Sequence, residues 1–117
     1  MSYMLLIVEP TDQRRSRSDA EGRAVYERMR KFGAELKERG VLIATESLKS
    51  QADAVRLQVR NGRTQVVDGP FSEAKEMVGG FFLLNCKTRD EAVAIAAACP
   101  AAEWCTVEVR ALAPCYE

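Results

Sequence analysis

The sequence predicts an α+β fold in which a β-α-β half and a second β-α-β half are joined through a β-hairpin. Three observations predict it. "YMLLIVE" (3–9) and "GGFFLLNC" (79–86) are apolar on both faces of a strand, the mark of central strands covered on both sides. Ser18 and Thr88 each stand ahead of a helical apolar period, with Glu three residues on. Between these halves, "AVRLQVR" (54–60) and "RTQVVD" (63–68) alternate around the dipeptide Asn61-Gly62, whose positive φ angles suit a two-residue hairpin turn.

The elements follow in order. Strand 3–9 places Tyr3, Leu5 and Ile7 on one face and Met4, Leu6 and Val8 on the other. Residues 10–17 are a polar loop. A helix then runs from its N-cap Ser18 to about Arg39 and ends at Gly40, with Val25, Met29, Phe32 and Leu36 as its buried stripe. "VLIATESL" (41–48) is a second strand. In the hairpin, Leu57 faces Val66 and Val59 faces Thr64, while Gln58 meets Gln65 and Arg60 meets Arg63, so one face is apolar and the other polar. The helix at 88–99 begins on a Thr88/Glu91 capping box and stops at Pro100; "EWCTVEVRAL" (103–112) is the last strand.

Without the hairpin this order is β-α-β-β-α-β, the ferredoxin-like pattern, whose first and third strands lie in the middle of the sheet. Those are the two segments apolar on both faces. Both helices cover one face of such a sheet, which leaves the other apolar face for a second copy of the chain. A homodimer with a cavity between or beside its sheets is the expectation.

Composition narrows the chemistry. The chain has 117 residues, suited to one domain. Seventeen basic and seventeen acidic side chains cancel, which gives no electrostatic case for nucleic acid or an anionic membrane. The basic run "RRSR" (14–17) lies among Asp12, Asp19 and Glu21 and reads as a solvated loop. No apolar run approaches the ~20 residues that span a bilayer, and the N-terminus lacks signal-peptide features, so a cytoplasmic location is expected. The four cysteines form no C-x-x-C pair and read as free thiols rather than a zinc site. No metal or cofactor is expected. There is no histidine, which removes His bases, His-activated nucleophiles and His ligands; acid–base work falls to carboxylates, Lys, Tyr or Cys.

One stretch concentrates such groups: "DGPFSEAKEMVGGFF" (68–82), with three acids, one lysine and three glycines. Asp68 ends a strand, Gly69-Pro70 turns the chain, Phe71 anchors it, and Ser72 caps a short helix carrying Glu73, Lys75 and Glu76. As a site, Asp68 with Glu73 or Glu76 forms a carboxylate pair for acid–base work, and Lys75 holds an anion or orients a carboxylate. As plain structure, Asp68 accepts backbone N–H bonds in the turn and the charges face water. Tyr3, Glu9, Glu46, Arg56 and Gln58 are weaker candidates for lining a cavity.

"DGPFSEAKEMVGGFFLL" resembles the signature of the DGPF subgroup of YCII-related proteins. "YMLLIVE", "GVLIATESL" and "AAACPAAEWCTVEVR" resemble the same family, so the likeness covers nearly the whole chain. The resemblance implies a dimeric α+β barrel of ferredoxin-like subunits, and a pocket acid that Asp68 matches best. The family's acid is paired with a histidine, which this chain lacks. Two readings stay open. One is a pocket for an unknown small molecule, with Asp68, Glu73, Lys75 and Glu76 as its acid–base groups. The other is a non-catalytic binding or regulatory module partnered with an extracytoplasmic-function sigma factor, which the resemblance implies through gene neighbourhood.

Overall fold

The computed structural model describes residues 2–117 as a mixed α+β chain. Its elements are β1 (Tyr3–Pro10), α1 (Asp19–Glu38), β2 (Leu42–Ser47), β3 (Val55–Arg60), β4 (Arg63–Asp68), β5 (Glu76–Leu84), α2 (Arg89–Ala98) and β6 (Thr106–Ala111). Four strands form one antiparallel sheet in the order β2-β5-β1-β6, while β3 and β4 pair only with each other. The strands apolar on both faces, β1 and β5, are the two central ones. The arrangement is compatible with the expected ferredoxin-like order.

Local chemistry explains the helix starts. The Ser18 hydroxyl accepts from the Glu21 amide at 3.1 Å, and the Glu21 carboxylate accepts from the Ser18 amide at 2.8 Å. In α2 half of that device is present. Thr88 accepts from the Glu91 amide at 3.2 Å, but Glu91 takes the Lys87 amide, one residue outside the cap. Asn61 and Gly62 carry φ angles of 53° and 73°, as the hairpin turn requires.

Two boundaries differ from expectation. No helix follows Ser72: residues 71–74 form a turn closed by the Ala74 amide on the Phe71 carbonyl at 3.0 Å. Thr11 draws the next residues into an extension of the sheet, its amide donating to the Lys75 carbonyl at 3.0 Å and its hydroxyl to the Ala74 carbonyl at 3.2 Å. Strand β5 therefore starts at Glu76 rather than Gly79. At the other end, Pro100–Glu103 form a 3₁₀ turn, so β6 starts at Thr106 rather than residue 103. Proline suits the first position of such a turn, where its missing N–H leaves no partner wanting.

Both helices cover the Tyr3, Leu5, Ile7 face. There Phe32 and Leu36 of α1, with Ala92, Ile95 and Ala96 of α2, pack on Leu5, Phe82 and Leu84. Phe32 meets Phe82 edge to face, with ring centroids 5.3 Å apart. The stripe of α1 divides in two: Phe32 and Leu36 are buried, while Val25 and Met29, nearer the N-terminus, are only partly so. The opposite sheet face carries Met4, Leu6, Val8, Phe81 and Leu83, all partly buried, with Val78 exposed.

Candidate functional site

The half of α1 that leaves the core faces a cavity of about 580 Å³ between that helix and the sheet. Its walls are mostly apolar, with Ile7, Val25, Met29, Phe82 and Trp104 among them, and its size falls in the range of small-molecule pockets. The buried charge in it is Glu9. The period of β1 sets Glu9 after Tyr3, Leu5 and Ile7 on the helix-side face, and it is 6% exposed. Burial of a carboxylate demands a partner. Arg14 supplies it: Nη2 donates to Oε1 at 2.7 Å and Nε to Oε2 at 3.1 Å, a forked, charge-assisted contact. Arg14 is in turn held by the Leu48 carbonyl, 2.8 Å from Nη1, and that of Gly79, 3.4 Å from Nη2.

Gly79 makes room for this pair. The register between β1 and β5 shifts between Ile7 and Val8, which pair with Gly80 and Val78 and leave Gly79 as the extra residue of a β-bulge. A Cβ there would sit 1.7 Å from the Glu9 carboxylate oxygen and 2.8 Å from Arg14 Nη2. The glycines at the end of the 68–82 stretch thus shape the cavity floor.

Trp104 forms a further wall. Arg28 lies 5.2 Å and Arg17 lies 5.9 Å from its ring centre. Cys105 follows it in the lining, and its thiol is pushed up to about 11, first by burial and then by the charge of Glu9. It is therefore a thiol rather than a thiolate at neutral pH and no nucleophile.

The four residues expected to carry chemistry lie elsewhere. Asp68, at the end of β4 opposite Val55, is exposed, as are Glu73, Lys75 and Glu76. None lines the cavity, and none makes an ion pair among the described residues. The first half of the motif is built into the hairpin's base instead. The Gly69 amide donates to the Ala54 carbonyl at 2.7 Å, a Cβ on Gly69 would meet the Gln51 carbonyl oxygen at 1.8 Å, and Arg56 lies 3.9 Å over the Phe71 ring. Of the weaker candidates, Glu9 and Glu46 line the cavity, whereas Tyr3, buried in the core, and Arg56 and Gln58 do not. Arg14, read from sequence as part of a solvated loop, is the residue that was missed. The signal for it was the acid on a core-facing strand position, which needs a cation close by.

Comparison with known proteins gives a relative and a family. An uncharacterised protein of Rhizobium meliloti (strain 1021) is 41% identical over 56 residues, which are 48% of this chain and 45% of that protein. The match thus takes in less than half the length of that relative. The YCII-related domain matches residues 1–115, nearly the full length, and the chain belongs to the YCII-related family.

Proposed function

We propose that the helix-side cavity binds a small, largely apolar organic molecule, with Glu9 as its hydrogen-bond or proton acceptor and Arg14 as the group that positions Glu9. The observation that carries this reading is a buried, arginine-forked carboxylate at the floor of a mostly apolar cavity of about 580 Å³. On the floor of a mostly apolar cavity a fixed, buried carboxylate interacts more strongly with a bound polar hydrogen than it would in water. The reading does not need Asp68, Glu73, Lys75 or Glu76.

The working unit in this reading is a homodimer. The chain exposes 8354 Å², against about 6,300 Å² for a compact monomer of 13.0 kDa. The excess of roughly 2,000 Å² is what one subunit of a large obligate interface buries. The radius of gyration, 16.1 Å, likewise exceeds the ~13 Å of a compact chain this long. Two surfaces account for it: the apolar sheet face opposite the helices, and the hairpin, where Val55, Leu57, Val59, Val66 and Val67 are each more than half exposed. An isolated two-stranded hairpin is marginal in water, so packing on a second copy supports it.

Trp104, the only tryptophan, is the reporter for the test. The uncharged probe N-phenylnaphthylamine should bind and accept energy from Trp104, with Glu9→Ala changing its affinity and Asp68→Asn leaving it unchanged. No energy transfer, or a loss of binding on Asp68→Asn alone, overturns the reading. Light scattering should give twice the chain mass; a stable monomer contradicts the dimer.

A further inference from the structure

Trp104 carries two arginines, and they differ in one respect. Arg28 has its own carboxylate, Glu103, at 2.7 Å. Arg17, on the same ring, has no acid partner among the described residues. Of the two acids nearest on α1, Asp19 pairs with Arg23 at 3.2 Å, and Glu21, whose carboxylate accepts from the Ser18 amide, feels the charge of Arg17 without forming an ion pair with it. Arg17 is partly buried and lines both the cavity and the shallow groove that opens from it past Ser18, Gly22 and Tyr26.

The other charges of the lining do not compensate it. Arg14 and Glu9 neutralise each other, and Arg30 is forked by Glu27 at 2.6 Å and 2.9 Å. Lys37 and Glu46 are both exposed and of opposite sign. Arg17 is left as one partly desolvated cation at the mouth of an apolar cavity. Partial burial without a directly paired acid is unfavourable, and stacking on Trp104 offsets only part of that. Arg14 stands beside it with one Nη1 hydrogen beyond the bond to the Leu48 carbonyl.

We propose that the ligand of this cavity carries a single carboxylate or similar anionic group, bound by Arg17 at the mouth, with its apolar body lying inward over Met29, Phe82 and Trp104. Arg17 thus acquires from the ligand the carboxylate that Arg28 has from Glu103. The proposal rests on the cavity being a binding site and adds the chemical class of what enters it.

The test compares two probes that share a ring system and differ by one charge: N-phenylnaphthylamine, uncharged, and anilinonaphthalene sulfonate, anionic. The wild-type chain should bind the anionic probe more tightly, and Arg17→Gln should weaken it about tenfold and the uncharged probe far less. Arg17→Lys should restore part of the loss. Arg15→Gln, which removes the same charge from an exposed neighbouring position, should change neither probe. If neither probe receives energy from Trp104, the cavity reading itself fails. If the uncharged probe binds but the anionic one has no advantage, or Arg15→Gln weakens it as much as Arg17→Gln, the cavity stands and the anion proposal is overturned.

Discussion

Gly69 and Gly79 sit ten residues apart in one stretch, and neither tolerates a side chain, but for different reasons. A Cβ on Gly69 meets a backbone oxygen, that of Gln51, at 1.8 Å; a Cβ on Gly79 meets the tip of a side chain, Glu9, at 1.7 Å. A backbone carbonyl held in a turn cannot withdraw without breaking that turn, whereas a side chain can rotate away. The first glycine therefore belongs to the architecture of the hairpin base and the second to the geometry of the cavity. A single motif serves two regions with separate physical demands.

The largest effect should come from Gly69→Ala. The Gln51–Asp53 turn and the bond from the Gly69 amide to Ala54 must both shift, at a cost of about 3 kcal/mol, read as a fall in the denaturant midpoint and faster amide exchange in β3 and β4. Glu9→Gln comes next. It leaves Arg14 short of its counter-charge, but the Arg14 side chain is 33% exposed, so solvent reduces the cost to about 2 kcal/mol. Gly79→Ala should cost about 1 kcal/mol in stability yet reduce affinity for N-phenylnaphthylamine about tenfold, because Glu9 and Arg14 are displaced into the cavity. If Gly79→Ala destabilises the chain as much as Gly69→Ala, the two glycines do the same work and the distinction is lost.

The last effect is confined to alkaline pH and belongs to the cavity side. The Cys105 thiol titrates near 11 in the folded chain against an ordinary 9.0. The folded state holds that proton more tightly, so its contribution to stability is complete below pH 9 and disappears as pH rises to 11. The denaturant midpoint should fall across that window in the wild type and fall less in Cys105→Ala. Iodoacetamide at pH 8 should modify exposed Cys115 well before Cys105.

Much of the fold was legible because periodicity and turn chemistry are local. The double-faced β1 and β5, the Ser18 N-cap and the Asn61-Gly62 turn each follow from a few adjacent residues. The start of β5 was not legible, because it depends on Thr11, sixty-odd residues away, bonding the carbonyls of Ala74 and Lys75. The candidate site was half legible. Glu9 sits on a core-facing strand position, which its spacing from Tyr3, Leu5 and Ile7 reveals. That Arg14 would leave a basic loop to pair with it, and that the bulge at Gly79 would open the space, are properties of three segments brought together. Charge is densest at Asp68, Glu73, Lys75 and Glu76, in the exposed half of the motif, whereas the half without charge shapes the cavity.

The central claim, that the cavity beside Glu9 rather than the Asp68 turn is the binding site, is tested most directly by a crystal structure of the chain grown with N-phenylnaphthylamine. The account predicts the probe between α1 and the sheet, in contact with Trp104 and Met29 and above the Glu9–Arg14 pair. A probe found beside Asp68 and Lys75, with the helix-side cavity empty, would contradict it.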